Sequence, residues 1–544
     1  MSFEVPPIPD AERTPLVMSL LDLVRSLLDR VQQGDETIQQ LRDEIALLKG
    51  QKPRPQIRPS ILPLPTPPND TATGKSPRRR GKPSGPRNVE LTIDREVALH
   101  PATLPEGAIF KGYEAYVIQD LLIHSDTTRY LRARYELPDG GSVLASLPAG
   151  VLPLAGGHFG ANLVAYILDQ YHHALVTEPL LLEQLREYGI VISAGQLHRI
   201  LTENHEGFHQ EKAEVLATGL AESSYVGTDD TGARHQGQNG YCTVIGNDLF
   251  AFFESSDNKS RLNFLQVLQG SQRDYAINET TLAYWERHQL PQAVQALLTQ
   301  GPQAFVGVDA WTARLAALAI TDERHVRTAT EGALLGGLIA RGVSPELVVL
   351  SDGAPQFVVL VHAACWVHAE RPLAKLVPHN EEHRAAIAKI RHALWELYQD
   401  LKGYQEQPAA ARRPVLEGRF DTLVGQRTGY PSIDHVLKEM REHKADLLRV
   451  LERPEVPLHN NAMESDIREY VKRRKISGGT RSAAGRRCRD TFASLKKTCR
   501  KLGVRFWEYL HDRVRGLGHI PRLADLIEQK AQEATAPRVV AVPA

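Results

Sequence analysis

Three short apolar runs crowd into residues 225–256: "YVGTDDTG", "YCTVIGN" and "LFAFFES". They are joined by tight connections, the second of them Gly246-Asn247-Asp248, and a helical pattern starts near Lys259. Runs of this length, broken by turn-forming residues, predict a β-meander that feeds into mixed α/β structure. A fourth run, "ELVVLSDGAPQF" (Glu346 to Phe357), reads as a buried strand that stops at Asp352. The first run is expected to end in Asp229 and Asp230, so acids from two strands would meet at the rim of one sheet. "FVGVDAW" also reads as a strand and offers Asp309 as a rival acid.

The flanking sequence divides by texture. Within residues 14–49, apolar residues from Leu20 to Leu48 recur at alternating four- and three-residue steps, which predicts a self-associating coiled coil. Residues 50–87 form a proline-rich linker in which nine Lys and Arg face only Asp70, a composition that cannot bury a core. Such a tethered basic arm either adds phosphate attraction or serves as a plain spacer. Residues 88–150 alternate strand-like runs with turns such as "PDGG" and predict a small β-rich module. Residues 151–222 turn helical. "LLLEQLREYGIVISAGQLHRILTEN" has the shape of a helix-turn-helix, with Ser193 as N-cap and a second helix presenting Gln196, His198 and Arg199. The core is expected to occupy 223–365, with a helical insert at about 270–345. A helical, charged insertion follows at 366–458, then the last part of the core at 459–515 and a tail at 516–544.

Sixty-five Lys and Arg balance sixty-five Asp and Glu, so only local charge can point to a polyanion. The four cysteines are dispersed and form no CxxC pair, which fits a reducing compartment. "MSFEVPPIPDAERTP" has neither the basic nor the apolar region of a secretory signal, and no apolar run approaches the ~20 residues of a membrane helix. The expectation is a cytoplasmic protein without membrane contact.

The local charge is concentrated in "HNNAMESDIREYVKRRKISGG" (His459 to Gly479), where Glu464 precedes Arg468, Lys472, Arg473, Arg474 and Lys475. From Arg468 to Arg505, fourteen Lys and Arg, Arg481 among them, face two acids, Glu469 and Asp490. Three carboxylates suit a pair of Mg²⁺ ions, which prefer oxygen ligands and leave positions open for water and phosphate. Arg468 and Lys472 share a helix face with Glu464 at four-residue spacing and are the expected phosphate contacts beside it.

The order of strand Asp, strand Asp, helical insertion and helix Glu resembles the DDE transposases built on the ribonuclease-H-like fold. The chain is most similar to the insertion sequence sixty-six family of bacterial transposases. The residues carrying the match are "GTDDTGARHQGQNGYC", "VLSDGAPQF", "CWVHAERPL" and the long run from His459 to Gly503. The resemblance implies Asp229, Asp352 and Glu464 as catalytic metal ligands, with Mg²⁺ as cofactor and Mn²⁺ as a substitute. It implies strand cleavage at the ends of a mobile element and strand transfer into target DNA, in a nucleoid-associated bacterial protein that works with accessory proteins of the same element. Cys365 and His368 resemble the element that follows the second acid; alternatively they are a buried pair that supports the sheet. Asp230 and Asn461 are expected to support the site, and pattern alone leaves Asp229 and Asp230 interchangeable as first ligand. The family's zinc-binding cysteines have no counterpart, since no cysteine precedes Cys242, so no zinc is expected in the N-terminal module. A non-catalytic DNA-binding regulator, a transposase relic and another ribonuclease-H-like nuclease are the competing readings.

Overall fold

The computed structural model describes residues 93–103, 108, 110, 113–148 and 159–535. The heptad segment 14–49, the linker 50–87 and the end of the tail lie outside these residues. The chain divides into two compact units, Met1–Val117 and Ile118–Ala544. In the first, the ring of Phe110 meets that of Tyr113 edge to face, and the Tyr113 hydroxyl contacts His100 Nε2 at 3.2 Å.

The second unit is built on a five-stranded sheet. Its strands are β1 (Tyr225–His235), β2 (Gln238–Gly246), β3 (Ala251–Ser256), β4 (Val348–Ser351) and β5 (Val361–Ala364), in the spatial order β3-β2-β1-β4-β5. The first three are the antiparallel meander expected from the sequence, while β4 and β5 run parallel to β1. Contrary to the expectation, β1 does not end at the two aspartates but continues to His235, paired with β2 from Gly227 onward. Its pairing with β4 stops at Gly227, so the acids lie mid-strand on one side and at an open rim on the other.

Side chains alternate across the sheet, and each face has its own cover. Val226, Ile245 and Phe252 point into the main core with Val215, Leu265 and Phe492. Cys242, Val244 and Phe253 point the other way, onto Met463, Ile467 and Tyr470 of the helix Asn461–Ser477. The segment 270–345 is helical as expected, apart from the ribbon of Asp274–Ala276 with Ala304–Val306. Asp309 follows that ribbon inside the helix Gly307–Ala317 and is exposed, not on a strand. Residues 366–458 are helical and gather a separate core around Trp366, Leu394, Phe420 and Leu437.

The β-rich module expected at 88–150 is reduced, among the described residues, to one hairpin, Arg134–Glu136 with Ser142–Leu144. Tyr116, Leu122 and Leu131 find no partner strand among the described residues and are exposed. The helix-turn-helix shape does form. Helices Glu178–Glu187 and Ala194–Thr202 flank Gly189, whose φ of 80° lies where glycine is favoured. Ser193 caps the second helix: its Oγ accepts the Gln196 N–H, and Gln196 Oε1 accepts the Ser193 N–H at 3.0 Å. That reciprocal bond occupies Gln196, leaving His198 and Arg199 as the exposed members of the trio.

Candidate active site

The helix Asn461–Ser477 lies along β1 and is fastened to it at both ends. At its start, Asn460 Nδ2 donates to the Thr228 carbonyl at 2.7 Å, and the Asn460 N–H meets Cys365 Sγ at 3.3 Å. At its end, Gly478 adopts a φ of 67° and turns the chain back. Thr480 then donates to the Arg234 carbonyl at 2.9 Å and accepts from Gln236 N–H at 2.8 Å. Gly227 allows the close approach at the first fastening, since a Cβ there would stand 2.6 Å from Asn460 Oδ1 and 2.7 Å from Met463 Cγ.

This arrangement separates the two neighbouring aspartates. Asp229 pairs with Val244 and therefore shares the face covered by the Glu464 helix. Asp230 pairs with Thr243 and faces the other way, where Gln356 Nε2 donates to its Oδ2 at 3.1 Å. The parallel register that sets Gly227 beside Leu350 brings Asp352, one step past the end of β4, level with Asp229. Burial pushes the Asp229 carboxyl up to about 6; the negative charges of Asp352, Asp230 and Glu464 add to this, against the N–H of Asp230. Asp230 is also raised by burial, but Lys259 and Gln356 oppose the shift and Glu464 takes no part.

Glu464 is largely buried. Its Oε2 receives Arg468 Nη2 at 3.2 Å, while its Oε1 is enclosed without a hydrogen-bond partner and lies 3.8 Å from His368 Nδ1. Burial, helped by Arg371, lowers the pKa of His368, with Glu464 and Asp352 pulling the other way. Asp352 Oδ1 accepts the Ala354 N–H at 3.0 Å. Among the described residues, no three or more His, Cys, Asp or Glu side chains stand close enough to hold a metal ion as they are placed. The rim offers oxygen donors, an excess of negative charge and an orphaned carboxylate oxygen, and in donor chemistry these fit a hard divalent cation.

Cys365 precedes the helix Trp366–Lys375, and the first turn of that helix carries His368 to Glu464. Asn461 is exposed at the first position of its helix; the residue that ties helix to sheet is its neighbour Asn460. Sequence reasoning missed Asn460, and the only signal for it was the doubled asparagine in "HNNAME".

The basic tract is only partly a surface. Arg468, Lys472, Lys475 and Arg481 are exposed, and Arg474 is half-buried with Nη1 3.5 Å from Thr231 Oγ1. Arg473 does not fit the expected phosphate contact. It is 6% exposed, its guanidinium lies over the Tyr171 ring at 3.8 Å, and it donates to the Tyr171 carbonyl. A 3.6-residue helix turns position 473 onto the inner face that Glu469 and Tyr470 also approach. Lys496 and Lys497 of the helix Ala483–Leu502 are likewise buried and pair with Glu469.

Fold and site together define a mixed α/β protein whose sheet rim gathers acids from two adjacent parallel strands and a covering helix, beside an exposed row of Lys and Arg. Residues 354–487 match the profile of the family described as Transposase IS66 family. The chain is also 40% identical over 321 residues to the uncharacterized protein y4jO of Sinorhizobium fredii, covering 58% of this chain and 100% of that protein. The chain belongs to the IS66 family of transposases. The matched stretch contains Cys365, His368, Glu464 and the exposed cations, but begins after Asp352.

Proposed function

We propose that the protein is a DNA transposase that cuts strands at the ends of its element and joins them to target DNA, with Asp229, Asp352 and Glu464 as the catalytic carboxylates. The observation that carries this reading is the level setting of Asp229 and Asp352 on neighbouring parallel strands, under the helix that bears Glu464. The strand order β3-β2-β1-β4-β5, antiparallel then parallel, supports a ribonuclease-H-like core. The same three carboxylates would hold Mg²⁺, or Mn²⁺ in its stead. When bound, such ions neutralise charge on the phosphodiester and acidify a water molecule.

The chain's own residues have separable tasks. Asp229, Asp352 and Glu464 supply the negative charge, and Arg468 sits on Glu464 with its side chain 71% exposed. A DNA phosphate can compete for that guanidinium, because the Arg468 side chain stands in solvent and only the carboxylate it contacts is shielded. Lys472, Lys475 and Arg481 extend the cationic row and would hold the backbone without reading sequence. Assembly through the heptads at 14–49, cooperation with accessory proteins of the element and a place at the nucleoid complete the reading.

The test is a gel assay of the purified full chain on labelled duplexes carrying the DNA that flanks its coding sequence. Wild type should nick and join these ends with Mg²⁺ and not in EDTA, while Glu464→Gln should bind them without cutting. Equal cleavage by Glu464→Gln would remove Glu464 from the site. Binding by wild type with no cleavage under any divalent ion would leave a DNA-binding relic.

A further inference from the structure

Behind the rim, on the sheet face away from Glu464, three side chains stand in a row. Ser351 Oγ is 2.9 Å from His362 Nε2, and His362 Nδ1 is 3.1 Å from Asp446 Oδ2. The contact with Asp446 is off the N–H axis, a close polar approach and not a straight hydrogen bond. The residue types are those of a hydrolase triad, but Ser351 is completely buried and His362 nearly so. A serine sealed in this way meets no substrate, so the row is a strut and not a nucleophile.

One proton arrangement satisfies it. Ser351 Oγ already accepts the Gly353 N–H at 3.1 Å, so its single hydrogen is free to go to Nε2. His362 Nδ1 then carries the ring hydrogen and turns it toward the Asp446 carboxylate. The two ends of the row belong to different parts of the molecule. Ser351 and Gly353 bracket Asp352, so the hydroxyl pins the turn that presents this acid. Asp446 lies on the short helix Lys444–Leu447 of the helical insertion. Arg449 of the same insertion donates Nε to the His362 carbonyl at 3.1 Å and brings Nη2 to 3.8 Å from Asp446 Oδ1.

We propose that His362 is a positioning residue for Asp352, linking the helical insertion, through Asp446, to the turn that carries the acid. The inference rests on the reading of Asp352 as catalytic. It gives the insertion a role beyond bulk: its seating on β5 sets where the second carboxylate stands.

The experiment compares full-chain Ser351→Ala, His362→Ala, Asp446→Ala and Asp446→Asn with wild type and with Asp352→Asn. Strand-cleavage rate at saturating DNA, Kd for the DNA end and thermal melting are all measured. The alanine variants should cleave at least tenfold more slowly with Kd within twofold of wild type. Asp446→Asn, which keeps an oxygen of the same shape and partial negative charge beside Nδ1–H, should recover most of the rate. Wild-type cleavage rates in the folded variants, or equal losses in Asp446→Asn and Asp446→Ala, would overturn the inference. If His362→Ala does not fold, Ser351→Ala, which removes one atom, and the Asp446 pair decide it. Wild-type cleavage by Asp352→Asn would instead sink the assignment of the acid. An inactive Asp352→Asn beside fully active strut variants sinks the strut alone.

Discussion

Asn460 donates its side-chain amide to the Thr228 carbonyl at 2.7 Å, and its own carbonyl receives the Glu464 N–H at 3.1 Å. The residue before Asp229 is thereby tied to the helical turn that carries Glu464. Two acids 235 positions apart in sequence are thus set by one residue, through its side chain and its main chain.

Asn460→Ala should leave a buried carbonyl unpaired and cost about 1–3 kcal/mol. Gly227→Ala should cost about 1–3 kcal/mol by pushing a methyl group into Asn460 and Met463. The two share a contact, so the double variant should lose less than the sum. Urea denaturation of the three proteins checks this, and strict additivity would mean the helix is not held at this point.

Asp229 carries a folded-state pKa of about 6 against an ordinary 3.8. A raised carboxyl favours the folded state most below pH 4, and that favour is lost as pH rises through about 6. The gap corresponds to at most about 3 kcal/mol, and water at the half-open rim screens part of it. Asp229→Asn in EDTA should therefore be about 1–2 kcal/mol more stable than wild type at pH 8 and no more stable at pH 4. Equal stability at pH 8 would mean that neither burial nor the neighbouring carboxylates weigh on the Asp229 charge.

Burial alone would raise the Glu469 carboxyl, but Lys496 and Lys497 outweigh it and hold the pKa down to about 2, against 4.5 ordinarily. A lowered carboxyl contributes stability that is complete above pH 4.5 and disappears as pH falls toward 2. Glu469→Gln should cost about 2–4 kcal/mol at pH 7, because it takes the carboxylate from the buried Lys496 ammonium and leaves Lys497 with Asp466 alone. It should also flatten the acid limb of stability between pH 4.5 and 2. Melting curves across that range read both effects.

Lys472 and Lys475 are exposed, so replacing both by Ala should change stability by no more than about 0.5 kcal/mol. Their loss should lower DNA affinity and reduce the salt slope by about 2. Arg473→Ala should do the reverse, costing about 2 kcal/mol of stability through the lost Tyr171 stacking and hydrogen bond, with the salt slope unchanged. A fall in slope for Arg473→Ala would put its guanidinium on DNA after all.

Much of the sheet was legible because its signals are local. The meander follows from apolar runs and turn residues within 225–256, and the strand before Asp352 from one apolar run. The Ser193 cap also lies within four residues of sequence. β5 was missed, since "VHAA" is four residues long and its pairing partner is β4. Alternating runs at 113–137 looked like strands, yet a strand is made by its neighbour, and among the described residues only Arg134–Glu136 has one.

The sequence alone determined the residue types: three acids in the order Asp, Asp, Glu, a basic tract behind the last, and strands under the first two. The tertiary structure decided which of them meet. Asp229 faces Glu464 and Asp230 does not, because adjacent strand residues point to opposite faces and the Glu464 helix covers only one. Asn460 rather than Asn461 ties helix to sheet, and Arg473 is spent on Tyr171, a residue 302 positions earlier in the chain. Such contacts are fixed by packing between segments far apart in sequence, where local propensity and spacing carry no information.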